Sequence, residues 1–432
     1  MASHPRVLVV GGGLAGLVAA RHLAGGGVDV TLLERRETVG GRVRTAARDG
    51  YRFDRGFQVL FTAYPAVRAE LDLDALDLRR FAPGATVAGP NGRSTLVDPL
   101  REPATVLATV SNPSVSVGDA LRVARLWWEL RRTDPDAILA DGEDTTIAAT
   151  LHARGFSDRF IEDFVAPFYG GITLDRSLAT SSRVFEYTFR TLAAGDIAVP
   201  AAGMGAIPAW LADRVREVGG TIETETAVKS VSATGDSSGS DGGVTVGTEV
   251  GTTEADAVIV ATDPPTAREL TGIDAIPTAA RACVTQYYAL PAAADLETDR
   301  RLLLNATEAG PNHVVPHSAV APEYAPDDRT LISATFLGDR AERDAELAAQ
   351  TRSTLTSWYP DRQFDALEPV HTARVEFAQF AQPPGFRERL PETRDPAGSV
   401  YLAGEYTRWS SIQGAMESGR RAATAAIDDV SQ

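Results

Sequence analysis

The chain has 432 residues, of which 44% are hydrophobic, and a formal net charge of −16. A chain of this length can bury a large core and is expected to form two domains. The acidic surplus argues against nucleic-acid binding, which needs a basic surface. The single cysteine excludes an intrachain disulfide, and no apolar run approaches the roughly 20 residues that span a bilayer. Without a signal-peptide core the protein is expected to be cytoplasmic, and an acidic composition with one lysine is typical of a salt-adapted, halophilic host.

The first part of the chain predicts a βαβ unit that binds a dinucleotide. An apolar strand over residues 7–10 precedes an Ala- and Leu-rich helix over residues 14–24, and a second strand over residues 28–33 ends at Glu34. The turn before the helix carries three glycines spaced G-x-G-x-x-G, namely Gly11, Gly13 and Gly16. In this pattern the glycines allow a tight turn, a close approach to a pyrophosphate and close helix packing. Glu34 is expected to accept hydrogen bonds from a ribose, which favours FAD or NAD over NADP.

A second glycine pair sharpens this interpretation. Gly40 and Gly41 precede Arg42, so the backbone can again approach a phosphate, with a guanidinium beside it. With G-x-G-x-x-G and the acid, this segment resembles the FAD-dependent family of flavin amine oxidases, protoporphyrinogen oxidases and phytoene desaturases. The resemblance implies non-covalent FAD as the cofactor. The first cofactor contacts that it implies are Gly11, Gly13, Leu14, Ala15, Gly16, Glu34, Arg35, Gly41 and Arg42.

The C-terminal segment carries a second motif of the same family. A strand over residues 400–403 ends at Gly404 and Glu405, and a helix with small residues on one face begins near Ser411. The resemblance implies that the acid holds the ribityl or pyrophosphate group and that the helix N-terminus faces the flavin. The remaining implied cofactor contacts are Val228, through its backbone at the adenine, and Gly404, Glu405, Gln413, Gly414 and Ala415. The loop has Ser410 and Ser411 where a covalent flavin would need a cysteine.

The implied fold class is α/β, with a Rossmann-like FAD-binding domain and a discontinuous α+β substrate domain that carries a mixed or antiparallel sheet. We expect residues 1–65, 194–265 and 386–432 to form the FAD-binding domain. Residues 66–193 and 266–385 would form the substrate domain, with strands near residues 284–290 and 331–336. The low-complexity segment 234–243 is expected to be the tip of a hairpin.

One predicted helix of the substrate domain is amphipathic. Val123, Leu126, Trp127 and Leu130 follow the spacing i, i+3, i+4, i+7, and four arginines surround them. This apolar face either packs in the core or contacts a membrane surface peripherally. No span crosses the membrane in either case.

The catalytic residues cannot be assigned from a motif, because a flavin carries out the difficult step itself. Four residues are candidates for the substrate pocket: Phe57, Gln58, Tyr64 and Tyr169. Core packing is the alternative for each of the aromatic side chains. No metal site is predicted, because the six histidines are scattered and Pro316 separates His313 from His317.

The position of the single lysine bears on the reaction. In amine oxidases of the resembling family a lysine on the substrate-domain sheet holds a water at the flavin, whereas Lys229 lies on the strand predicted beside the adenine. We therefore expect a dehydrogenase or desaturase that acts on a small apolar substrate, isoprenoid, carotenoid-like or porphyrin-like, by hydride transfer to the flavin. The alternatives are a flavin amine oxidase and a non-redox lipid-binding or mutase relative. The substrate, the electron acceptor and the oligomeric state stay open.

Overall fold

The computed structural model describes residues 4–90, 92–97, 114–140, 143–233 and 243–431. Its strands, in chain order, are β1 (Arg6–Val10), β2 (Asp29–Leu33), β3 (Thr45–Arg48), β4 (Tyr51–Asp54), β5 (Leu60–Phe61), β6 (Leu78–Arg80), β7 (Ala85–Gly89), β8 (Gly92–Leu96), β9 (Ile197–Pro200), β10 (Thr221–Glu223), β11 (Val228–Ala233), β12 (Val244–Thr248), β13 (Gly251–Ala255), β14 (Ala257–Val260), β15 (Ala280–Pro291), β16 (Leu302–Asn305), β17 (His313–Val315), β18 (Arg329–Leu337), β19 (Glu368–Phe380) and β20 (Val400–Leu402).

Its helices are α1 (Leu14–Gly25), α2 (Pro65–Glu70), α3 (Val117–Leu130), α4 (Pro135–Ala140), α5 (Ile147–Ala153), α6 (Asp158–Phe160), α7 (Ala166–Thr173), α8 (Ser182–Ala194), α9 (Ala206–Glu217), α10 (Pro264–Thr271), α11 (His317–Val320), α12 (Asp344–Trp358) and α13 (Ile412–Val430). A π-helical turn, Ile161–Val165, joins α6 to α7.

Five parallel strands form the first sheet, in the order β10-β2-β1-β14-β20. All four residues of β14 and the last four of β1 are buried, so these strands are continuous apolar runs rather than alternating patterns. The predicted βαβ unit is confirmed, with β1 and β2 as neighbours and α1 between them in the chain. The glycine-rich turn therefore lies at the carboxyl ends of the strands, where open α/β sheets bind their ligands.

Two glycines bring the backbones of three elements together behind this turn. A Cβ atom on Gly16 of α1 would lie 1.9 Å from the carbonyl oxygen of Gly11. A Cβ atom on Gly419 of α13 would lie 2.2 Å from the carbonyl oxygen of Ala15. The C-terminal helix thus packs directly on the backbone of the dinucleotide-binding helix, at a distance that only glycine allows.

The second large sheet has seven strands in the order β19-β15-β18-β17-β16-β7-β8. It is mixed, because β16 pairs with β7 in parallel while its other neighbouring pairs are antiparallel. The two strands predicted in this region are confirmed as parts of β15 and β18, which pair with each other. A separate core packs on one side of the sheet, where Trp358 and Leu355 of α12 meet Tyr288 and Phe336.

The two large sheets draw on different parts of the chain. The strands of the parallel sheet come from the three segments predicted for the FAD-binding domain, and those of the mixed sheet from the two predicted for the substrate domain. The fold class is confirmed, whereas the domain boundaries themselves stay a prediction. The predicted hairpin tip, apart from Gly243, lies outside the described residues.

Helix α3 contains the amphipathic pattern. Ser116 and Asp119 form a capping box at its start, which fixes where the helix begins. Leu126 and Leu130 are buried, Val123 is partly buried against the main core, and Trp127 is partly exposed. Most of this apolar face therefore packs toward the core, whereas a membrane contact of the helix stays a prediction. None of the described helices is long and apolar enough to cross a membrane.

We expect Gly419→Ala to lower the free energy of unfolding by about 3 kcal/mol, because its methyl group must push α13 off the backbone of α1. Gly25→Ala is the control, since a Cβ there meets no atom within 4 Å. It should leave stability unchanged or raise it by up to about 1 kcal/mol. Chemical denaturation of both variants measures the difference. Equal stability of the two would show that the close contact between the helices is not required.

Candidate active site

A cavity of about 820 Å³ runs from the glycine-rich turn of the parallel sheet to the mixed sheet. At one end it is lined by Gly11 and Glu34, and at the other by Leu302, Leu304 and His313. The chain therefore brings the carboxyl edge of one sheet and the face of another to a common space, as a cofactor and a substrate that react together require.

Most of the residues singled out from the sequence line this cavity. They are Gly11, Gly13, Leu14, Ala15, Glu34, Arg35, Gly41, Arg42, Val228, Gly404, Glu405, Ala415, Phe57, Gln58 and Tyr64. The fold thus gathers residues from the N-terminal, middle and C-terminal parts of the chain into one wall. Their individual contacts with a cofactor stay predictions.

Four of the predicted residues are not part of the cavity wall. Gly16 packs on the Gly11 carbonyl, and Gly414 lies against the carbonyl of Trp409. The side chain of Gln413 turns away, because its Oε1 accepts a hydrogen bond of 2.8 Å from the backbone N–H of Ala66. These three residues shape the wall from behind.

Tyr169 is the fourth, and its prediction as a pocket residue needs correction. Its ring packs in the core against Phe185, with 4.7 Å between the ring centroids. The preceding residue, Phe168, lines the cavity instead. Successive residues of a helix point about 100° apart, so α7 can direct only one of the two adjacent rings at the cavity.

The two glycine-rich loops are joined by hydrogen bonds around Glu34. Its buried carboxylate accepts hydrogen bonds from the N–H of Gly12 at 2.8 Å and from that of Arg36 at 2.9 Å. The N–H of Gly40 donates to the carbonyl of Gly12 at 2.7 Å. Gly40 and Gly41 have φ values of +122° and +59°, which glycine adopts most readily. The carboxylate is therefore held in one position at the cavity edge.

An ion pair between Arg42 and Glu405 connects distant parts of the wall. Glu405 is buried, and Arg42 also donates to the carbonyl of Ala378 on β19 at 3.1 Å. Burial alone would lower the pKa of Arg42, but the attraction of Glu405 raises it above its ordinary value. The pair ties the loop after β2 to the turn after β20 and to the edge of the mixed sheet.

Comparison with known proteins agrees with this geometry. A family model described as flavin containing amine oxidoreductase matches residues 14–427. The chain belongs to this family. It is 31% identical to a phytoene dehydrogenase of Streptomyces griseus over 260 residues, which cover 53% of this chain and 50% of that protein. The chain thus spans about half the length of this curated relative.

Two solved structures share the fold over almost the whole chain. One is a protein of Exiguobacterium described as a protoporphyrinogen oxidase, with 19% identity, a TM-score of 0.72 and 99% of each chain covered. The other is cyclohexylamine oxidase of Brevibacterium oxydans, with 17% identity, a TM-score of 0.68 and 100% of each chain covered. The predicted superfamily and its cofactor, FAD, are confirmed.

The glycine-rich end of the cavity fits the diphosphate of FAD. Gly13 precedes α1 without a side-chain cap, and a Cβ atom placed on it would meet no atom within 4 Å. Leu14 and Ala15 follow it along the cavity wall. The first N–H groups of a helix lack intrahelical partners and carry a partial positive charge, so this space can hold a phosphate against the backbone.

The other end of the cavity contains residues that the sequence left unassigned. Cys283 of β15 and His313 of β17 line it, and Trp409, just before α13, also lines the cavity. Burial raises the pKa of the Cys283 thiol to about 11, so the group stays a neutral thiol. The sequence could have suggested Cys283 only through its position on a strand of the mixed sheet. The alternation of side chains along a strand does not show which face of the sheet lines a cavity.

Asp54 supports the segment with the pocket candidates Phe57 and Gln58. Its buried carboxylate accepts hydrogen bonds from Thr45, from the N–H of Met204 at 2.9 Å and from the hydroxyl of Tyr324 at 2.9 Å. Burial raises the pKa of Asp54 to about 6, and these hydrogen bonds oppose the rise. Asp54 anchors the end of β4, so the following residues enter the cavity from a fixed point.

The two histidines lie on different elements. His313 lies on β17 and His317 in α11, and the described residues contain no group of three or more His, Cys, Asp or Glu side chains that could hold a metal ion.

We expect Gly13→Val to fold normally and to lose at least about nine-tenths of its FAD. A Cβ atom at this position meets no protein atom within 4 Å, and the φ of −75° suits any residue. The valine side chain nevertheless fills the space that a diphosphate needs. The flavin-to-protein absorbance ratio and circular dichroism measure the two effects. Gly25→Val, outside the cavity, is the control and should keep its flavin. Full flavin content in Gly13→Val would contradict the placement of the diphosphate.

Proposed function

We propose that this protein is an FAD-dependent dehydrogenase or desaturase of an apolar substrate, isoprenoid, carotenoid-like or porphyrin-like. The observation that carries the proposal is the group of apolar side chains at the mixed-sheet end of the cavity, where the charged side chains of β19, Arg374 and Glu376, are exposed rather than buried. The apolar residues there are Phe57, Phe168, Ile172, Leu302 and Leu304. Such a wall favours an apolar ligand by removing its surface from water.

The polar groups at this end are neutral. Burial lowers the pKa of His313 to about 4, so the imidazole is uncharged at neutral pH, and the Cys283 thiol is protonated. Among the charged residues of the cavity, Arg374 and Glu376 lie at exposed positions of β19. An ammonium group would leave water without gaining a buried carboxylate at this end, which is costly.

The position of Lys229 supports a dehydrogenase over an amine oxidase. Its Nζ forms an exposed ion pair of 3.0 Å with Glu249, and β11 belongs to the three-stranded sheet β11-β12-β13. The chain has no other lysine, so the mixed sheet cannot supply one. The similarity to a phytoene dehydrogenase points in the same direction.

In this reaction the cofactor supplies the redox chemistry, and the residues of the cavity wall bind and position the substrate. When bound, FAD supplies the acceptor for the hydride that leaves the substrate. The aromatic and aliphatic side chains hold the substrate and keep water out. The fixed backbone between Asp54 and Gln58 sets the approach of Phe57 from one side of the cavity.

The test is anaerobic reduction of the purified holoenzyme by candidate substrates, and the loss of the oxidised-flavin absorbance measures it. We expect a carotenoid precursor or a porphyrinogen to reduce the flavin and putrescine and benzylamine not to. Phe168→Glu should slow the reduction roughly tenfold or more, because a carboxylate at this wall must be desolvated. Tyr169→Phe, at the adjacent position in the core, should not slow it. Reduction by amines alone would overturn the proposal in favour of an amine oxidase, and a flavin that no compound reduces would favour a non-redox relative.

We also propose that the outer face of α3 contacts an anionic membrane surface, from which an apolar substrate could enter. Four exposed residues follow the spacing i, i+4, i+7, i+11 along this face: Val117, Leu121, Ala124 and Trp128. Arg132 stacks 3.6 Å over the ring of Trp128, and Arg125 is exposed nearby, where it pairs with Glu129 at 2.8 Å. A basic, apolar stripe on an acidic protein complements anionic lipid.

Sedimentation with vesicles tests this contact. We expect binding to phosphatidylglycerol vesicles, weaker binding to phosphatidylcholine vesicles, and loss of both in the double variant Leu121→Gln, Trp128→Gln. Val218→Gln removes a similarly exposed apolar side chain after α9 and should bind as the parent protein does. Unchanged binding of the double variant would rule out α3 as the contact.

A further inference from the structure

His313 carries a hydrogen-bond donor that the protein leaves without a partner in the wall of the cavity. The residue is 3% exposed and lines the cavity. Its Nε2 is buried and has no hydrogen-bond partner among the described residues. Which nitrogen carries the proton follows from the groups around the ring.

The side-chain amide of Asn312, next to His313, has only one possible orientation. Its Nδ2 lies 2.8 Å from the carbonyl of Pro167, which can only accept. Its Oδ1 lies 3.3 Å from the guanidinium of Arg176, which can only donate. The amide therefore cannot be reversed, and Nδ2 is the group that faces His313.

The tautomer of His313 is a consequence of this orientation. Nδ2 of Asn312 lies 3.0 Å from Nδ1 of His313. Since Nδ2 is a donor, Nδ1 of the imidazole accepts. A neutral imidazole has one proton, and burial keeps His313 neutral by lowering its pKa to about 4. The proton is therefore on Nε2, and the free group is an N–H.

The ring is held firmly in this position. A Cβ atom on Gly171 would come within 3.1 Å of Asn312 Nδ2 and 3.2 Å of His313 Nδ1, so α7 closes tightly over the pair. Arg176 is itself fixed through a 2.8 Å hydrogen bond to the carbonyl of Asn305. The ring of Phe57 lies 5.1 Å away on the cavity wall. The direction of the N–H is therefore set before any ligand binds.

His317 provides a contrast within the same region. It is also buried, but its Nε2 is 2.8 Å from the hydroxyl of Ser333, and it is not among the residues that line the cavity. The Nδ1 of His317 also has no hydrogen-bond partner in the described part of the chain, so the position in the cavity wall is what distinguishes His313.

We infer that the substrate carries an oxygen that accepts a hydrogen bond from Nε2–H of His313: a carbonyl, hydroxyl or ether oxygen on an otherwise apolar molecule. The inference rests on the proposed function and narrows it, because a pure hydrocarbon would leave the buried N–H unsatisfied. An unsatisfied buried donor is unfavourable, and sites built to bond a polar group discriminate strongly against analogues without it. His313 is thus a substrate-binding, specificity-determining residue.

Binding of a matched probe pair to the oxidised holoenzyme tests this without turnover. The probes are 2-undecanone and undecane, which share a chain length and differ in one carbonyl oxygen. Perturbation of the flavin spectrum reports binding. We expect the ketone to bind about tenfold more tightly than the alkane, corresponding to about 1.4 kcal/mol. In His313→Phe this preference should disappear, and in His313→Gln, which keeps an N–H donor, it should return in part. His317→Phe is the matched control and should keep the preference.

A measurement on the parent protein keeps the test independent of the stability of these variants. In protein labelled with ¹⁵N-histidine, 2-undecanone should shift the protonated Nε2 resonance of one neutral histidine, and undecane should not. Equal binding of both probes would overturn the inference but would still support an apolar site. The same result is expected if Nε2–H of His313 donates to the flavin and not to the substrate. Failure of both probes to bind would overturn the inference together with the proposed function.

Discussion

The ion pair between Arg42 and Glu405 is the interaction on which the shape of the cavity depends. Each partner follows a strand of the parallel sheet, and Arg42 reaches further to β19 of the mixed sheet. Taking two charges out of water is costly, and removing one partner from such a pair costs about 3–5 kcal/mol because the other charge stays buried. A pair of this kind is weak evidence for stability but strong evidence for a defined relative position. Here it determines how the two sheets meet around the cofactor.

Close backbone contacts at glycines fix the relative position of the helices in the same way. Gly16 and Gly419 let α1 and α13 approach at backbone distance, and the N–H of Gly40 bonds to the loop that Gly13 belongs to. Side-chain packing could not achieve these distances, since any Cβ would separate the elements. The glycines thus have two roles: some face the cofactor, whereas Gly16 and Gly419 hold the elements together behind it.

The cofactor end was predictable because its signals are local. The turn from Gly11 to Gly16, Glu34 and the pair Gly40 and Gly41 lie within one short stretch, and their spacing reflects a single supersecondary unit. The mixed-sheet end was not predictable in the same way. Cys283 and His313 come from strands that become neighbours of the cavity only through sheet order, and the choice between Phe168 and Tyr169 depends on how α7 is rotated. On α3 the helical spacing of apolar residues identified the face that packs toward the core. The exposed stripe at Leu121 and Trp128 could be recognised only from the burial of the other face in the structure.

The contrast between the two ends explains why family membership leaves the substrate open. The cofactor end presents backbone N–H groups and a fixed carboxylate, which recognise groups that every FAD carries. The mixed-sheet end presents apolar side chains and neutral polar groups, with Arg374 and Glu376 at exposed positions. An apolar wall separates similar ligands by only about 1–3 kcal/mol per methylene. Under that condition a single oriented donor contributes more to selectivity than a larger apolar area. Asn312 orients that donor through a hydrogen bond to His313 and never enters the cavity, so the specificity of the site depends on a residue behind its wall.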